Sequence, residues 1–183
     1  FWQANYDQLV NLFPEFKDVS VDELVSMINK TECALIRTEA DELTYPLHIM
    51  VRYEIEKEIA KGNVDYDKLP ELWADKYEEY LGVRPANYKE GVLQDMHWST
   101  GYLGYFPTYA LGSAYAAQLY ATMEKQFDVE EALLTNHFEK ITDWLKENVH
   151  HYAASKSMAE IVEEVSGEPF NPDYYTDYLI KKY

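Results

Sequence analysis

Cysteine is almost missing from this chain: Cys33 is the single thiol in 183 residues. An internal disulfide and a multi-cysteine metal site are thereby excluded, and the usage suits a reducing cytosol. Cys33 could still be a nucleophile, against the plainer reading of an inert thiol. Basic charge is scarce as well. Lys and Arg number 16 against 33 Asp and Glu, for a formal charge of −17. Nucleic acid and anionic membrane both call for a basic face, so neither is expected as a partner. There is no run of about 18 apolar residues, and hence no expected membrane span. Apolar–polar alternation never lasts more than a few positions, which argues against strands. A phosphate loop is missing too, because Gly101-x-x-Gly104 lacks the Lys and the preceding strand that such a site needs. Of the five histidines, His48, His97, His137, His150 and His151, none stands in an H-E-x-x-H motif. Glu147 and His151 come nearest to a metal pair, one turn apart near a helix end. A solvated face explains them as well. No metal ligand is assigned, and no metal is expected on these residues alone.

What is present is helical. The hydrophobic fraction of 47% excludes disorder, and the length suits one domain with one sizeable core, so 1–183 is read as a single helical domain. Apolar spacing predicts helices over about 1–13, 21–29, 36–60, 67–81, 107–127, 128–149, 157–165 and 172–182. Ser20-x-x-Glu23 and Ser157-x-x-Glu160 are capping boxes. Pro46 should kink the 36–60 helix or force a local adjustment. The expected class is all-α, with about seven to eight helices. The opening Phe1-Trp2-Gln3 has no initiator Met and reads as mid-helix, so a piece of a longer protein is expected.

Chemistry concentrates in Gly91–Tyr109, GVLQDMHWSTGYLGYFPTY. Packing alone does not ask for Gln94-Asp95, His97-Trp98 and Ser99-Thr100 interleaved with Tyr102, Tyr105, Phe106 and Tyr109. Aromatics that give shape, with a few polar groups that give direction, make a cleft lining. His97 has two readings. It could be a core histidine bonded to a backbone carbonyl, or an electrophile with Tyr102 and Tyr109 brought back toward it across a Gly-jointed turn, donating to a developing oxyanion. Arg37 also has two: an exposed pair with Asp41 at i+4, or a guanidinium fork aimed at a carboxylate.

Gly91-Val-Leu-Gln94-Asp95-Met-His97-Trp98 is similar to the G-x-x-Q-D-x-H-W motif of the thermostable (Taq-type) carboxypeptidase 1 family of zinc metallocarboxypeptidases. Ile36-Arg37-Thr-Glu-Ala40-Asp41 resembles its I-R-x-x-A-D motif, and the likeness runs along the whole chain. The resemblance implies the C-terminal part of an all-helical gluzincin-type peptidase that removes C-terminal amino acids from peptides. It implies zinc in the intact enzyme, held by H-E-x-x-H and a downstream Glu that are absent here, so this piece alone should be inactive. It also implies a cytoplasmic homodimer, with the missing N-terminal half and a peptide with a free C-terminus as partners. The His97…Tyr102…Tyr109 spacing resembles the thimet-oligopeptidase pattern. By that likeness Tyr109 is the oxyanion donor, His97 and Tyr102 assist, and Arg37 grips the substrate carboxylate. Gln94 and Asp95 join the substrate-binding set as supports behind it. The rival reading is a stand-alone, non-catalytic helical domain that binds peptides or proteins.

Overall fold

Ser20 and Ser157 begin helices by the mechanism their spacing implies. Each serine oxygen accepts from the N–H of the Glu three residues on, and that carboxylate accepts in return from the serine N–H; two otherwise orphaned donors are satisfied at each start. A computed structural model describes residues 1–183 and contains ten α-helices and no strand. They are α1 (Trp2–Leu12), α2 (Val21–Ile28), α3 (Tyr45–Ala60), α4 (Leu69–Leu81), α5 (Met96–Ser99), α6 (Thr108–Glu124), α7 (Val129–Leu134), α8 (Phe138–Asn148), α9 (Met158–Ser166) and α10 (Asp173–Lys182).

Four of these, α3, α5, α7 and α8, depart from the sequence reading. The helix expected from residue 36 starts at Tyr45, and Arg37–Glu39 forms only a single 3₁₀ turn. Ala40 is extended (φ −67°, ψ 140°), and Pro46 lies in the first helical turn. There its missing N–H costs nothing, so Pro46 starts the helix where a kink or local adjustment was expected. The helix expected over 128–149 is two helices. Asn136 takes φ 59° between them, a left-handed conformation that Asn tolerates better than most residues, and His137 N–H closes back on Ala132 O at 2.8 Å. The short α5 was not anticipated at all. Asp95 caps it by accepting from Trp98 N–H, and Gly101 (φ 82°) ends it. The Gly101 and Tyr102 N–H groups return to Trp98 O and His97 O, as in a Schellman motif.

The chain forms two compact units, Phe1–Asn29 with Ser113–Tyr183, and Lys30–Gly112. In the first, Leu119, Met123, Val129, Trp144 and Val162 make the core. Gln118, fully buried, donates to Ser166 Oγ and Pro169 O and accepts from Asn171 N–H, which fixes the approach to α10. In the second unit α3 packs on α4 through Val51, Ile55, Trp73, Tyr77 and Leu81. Each such side chain contributes about 1.5–3 kcal/mol by leaving water. Trp73 has no exposed surface, so Trp73→Ala should cost about 3–5 kcal/mol. This second unit carries every candidate site residue.

Candidate active site

Down one side of α3 run His48, Arg52 and Glu56, spaced by four and all buried. A helix repeats every 3.6 residues, so this spacing puts them in one row, with successive side chains about 6 Å apart. Buried polar groups need partners, and the row finds most of them in α4 and in the 95–104 stretch, while His48 Nε2 and Arg52 Nη2 are buried without one. His48 Nδ1 meets the Tyr77 hydroxyl at 3.0 Å. Arg52 Nε donates to Asp95 Oδ2 at 3.0 Å, an ion pair in which neither side chain is exposed. Its Nη1 donates to His48 O at 2.8 Å. Glu56 accepts from Trp98 Nε1 at 2.7 Å and from Gly104 N–H at 3.0 Å. Gly104 holds φ 81°, and its freedom there lets the amide turn in toward the carboxylate.

Around this polar row the rings are layered. The Arg52 guanidinium lies 4.6 Å from the Trp73 ring centre and 4.5 Å from that of Phe106. Arg37 lies 4.7 Å from the same Phe106 ring. Weakly hydrated, planar guanidinium groups suit such stacking better than a compact, strongly hydrated ammonium does. His97 meets Phe106 edge-on at 5.4 Å and is tilted against Tyr105 at 5.2 Å and Tyr109 at 6.1 Å. Arg37, Met96, His97, Thr100, Tyr102 and Tyr105 line one open cavity of about 560 Å³. Arg37 and His97 therefore face a common space, although Arg37 sits on a 3₁₀ turn ahead of α3 and not on the helix.

The remaining named residues fall differently. Neither Gln94 nor Asp95 lines that cavity. The Gln94 amide donates to Lys89 O at 2.6 Å within its own loop. Both Asp95 oxygens are committed, to Arg52 Nε and Trp98 N–H, so Asp95 holds α5 in place and is not placed to touch a ligand. The Arg37–Asp41 pair gives way to another use of the carboxylate: Asp41 accepts from the Glu32 and Thr44 N–H groups. His97 does not behave as a core histidine bonded to a carbonyl, because its Nδ1 is buried with no hydrogen-bond partner. Tyr105, which sequence reasoning passed over as a site residue, stands between the others, 6.1 Å from Tyr102 and 5.6 Å from Tyr109 by ring centres. The Gly104–Tyr105 step beside the motif was the available signal.

Electrostatics follow the geometry. Burial, assisted by the charges of Arg52 and Arg37 and opposed by Asp41, lowers the His48 pKa to about 4. Burial likewise raises Tyr77. Tyr109 is raised first by its hydrogen bond with Tyr105, against the pull of Arg37. Its phenol thus stays protonated at neutral pH and can donate. No group of three or more His, Cys, Asp or Glu side chains could hold a metal ion. Glu147 and His151 no longer share a helix, since α8 ends at Asn148. The residues present do not form a metal centre.

The helical fold of this chain is shared with solved carboxypeptidase structures. An M32 carboxypeptidase from Deinococcus radiodurans R1 superposes with a TM-score of 0.95 at 34% identity, over 99% of this chain and 37% of that one. Carboxypeptidase 1 of Bacillus subtilis is 46% identical over 185 residues, and thermostable carboxypeptidase 1 of Thermus thermophilus is 40% identical over 184. Both alignments take in 100% of this chain but only 37% and 36% of the relative. The sequence matches the family described as carboxypeptidase Taq (M32) metallopeptidase over residues 1–183. The chain belongs to that family, and it spans little more than a third of the length of these relatives.

Proposed function

We propose that residues 1–183 are one helical portion of a longer metallocarboxypeptidase, in which they bind the substrate C-terminus and stabilise the transition state. On this reading the intact protein is a cytosolic homodimer that removes C-terminal residues from peptides, and zinc is held by residues outside 1–183. The observation that carries the proposal is the common cavity of Arg37, His97 and Tyr102, with the Tyr109 ring outside its lining but tilted against His97 at 6.1 Å. Arg37 offers a planar fork of donors for the terminal carboxylate. Its backing by Phe106 fixes the plane of that fork. His97 and the phenols of Tyr102 and Tyr109 supply donors around one region, as a carbonyl oxygen gaining negative charge requires.

The test is a matched peptide pair, free acid and C-terminal amide, assayed with the full-length protein. Arg37→Ala should lower kcat/KM on the acid roughly ten- to hundredfold, the worth of a hydrogen bond to a charged group. Residual activity on the amide should not change. Equal losses on the two substrates would remove Arg37 from the carboxylate site. Full-length protein with no activity on either peptide would favour the binding-domain reading.

A further inference from the structure

Arg52 has no exposed surface, and an apolar residue would be cheaper to bury in its place, which raises the question of why a charge sits there. Its contacts answer the question. Through Nε it holds Asp95, whose other oxygen caps α5, the four-residue helix that carries His97. Through its flat face it braces Phe106, and the His97 ring meets that same phenylalanine edge-to-face at 5.4 Å. Arg37 shares the Phe106 ring as well. Two of the supports that fix the imidazole therefore end at one guanidinium. Nη1 adds a third restraint by bonding His48 O, one turn back on α3. A lysine would keep the charge but lose the fork and the flat face.

We infer that Arg52 is a positioning residue of the active site, which sets the place and angle of the His97 imidazole through Asp95 and Phe106 without touching substrate. The inference rests on the role given to His97 under Proposed function. A group displaced by about 1 Å can lose roughly a hundredfold in rate. Arg52→Lys should therefore lower kcat roughly ten- to hundredfold, with KM changed only a few fold.

The deciding experiment is a double-mutant cycle on kcat in the full-length, metal-loaded enzyme with a free-acid peptide, using Arg52→Lys, His97→Gln and the pair. If Arg52 acts through His97, the double variant should be no slower than His97→Gln alone, within about threefold. Multiplying losses would overturn the inference. So would a normal kcat for Arg52→Lys beside a slow His97→Gln enzyme. A normal His97→Gln enzyme would instead bring down the functional reading, and this inference with it. Should Arg52→Lys fail to fold, Asp95→Asn tests the same link, because it removes the charge from the pair while keeping its shape. A pair whose loss prevents folding in both variants would be structural, and that result too would overturn the inference.

Discussion

His48 stands on the buried face of α3, with Nδ1 against the Tyr77 hydroxyl. Arg52 donates to that phenol oxygen at 3.4 Å, and His48 Nε2 is buried with no hydrogen-bond partner. A second ring proton would place a charge out of water and beside Arg52, with no partner for an N–H at Nε2. The folded state accordingly holds the His48 pKa at about 4, against 6.5 ordinarily. Between those two values the unfolded chain binds a proton that the folded chain refuses. Stability is full above pH 6.5 and falls as the pH drops toward 4. The whole difference corresponds to about 3 kcal/mol, of which about 2 kcal/mol is lost between pH 7 and 4.5. Many carboxylates titrate over the same range, so the readout is a difference. Urea unfolding of the protein and of its His48→Asn variant, each at pH 7 and 4.5, isolates the histidine. Asn keeps an acceptor for Tyr77 and cannot be protonated. The unaltered protein should lose about 2 kcal/mol more than the variant on acidification; equal losses would refute a neutral, buried His48.

Further outcomes are expected from other parts of the molecule. In the full-length enzyme Tyr109→Phe should lower kcat and kcat/KM alike, roughly a hundred- to a thousandfold, with KM nearly unchanged in steady-state assays. Asp95→Ala should cost about 3–5 kcal/mol in chemical denaturation, because it strands a buried guanidinium. Ser157→Ala removes one acceptor of the α9 capping box and should cost about 1 kcal/mol, read as a lower Tm.

Much of this organisation was legible where the physics is local. Ser20 and Ser157 announce helix starts because a cap and its Glu are three residues apart, and Gly82 and Gly167, at φ 67° and 80°, announce helix ends. Arg37 and His97 stood out because their neighbours exceed what packing needs. The His48–Arg52–Glu56 row did not, since polar residues four apart on a helix look the same whether they meet water or a buried carboxylate. Only the packing of α4 and the 95–104 stretch over α3 decides between the two. Asn136 was hidden for a related reason: no Gly or Pro marks the break between α7 and α8, and the left-handed turn rests on Asn's tolerance alone. Asp95 is expected only as a support behind the substrate-binding set, and no local pattern shows that its oxygens are committed to Arg52 and Trp98.

Glu56 has one oxygen on Trp98 and the other on Gly104. Ser99 through Leu103 hang between those two fixed points, like a cable between pylons whose separation α3 has already chosen. Exchanging Thr100 or Tyr102 for another residue leaves both attachments in place. Adding or removing a residue between them would release one attachment, or turn Tyr105 away from His97. The cavity rim can thus vary in texture while its length stays constant, so its chemistry would change by substituting side chains within this segment and not by lengthening it.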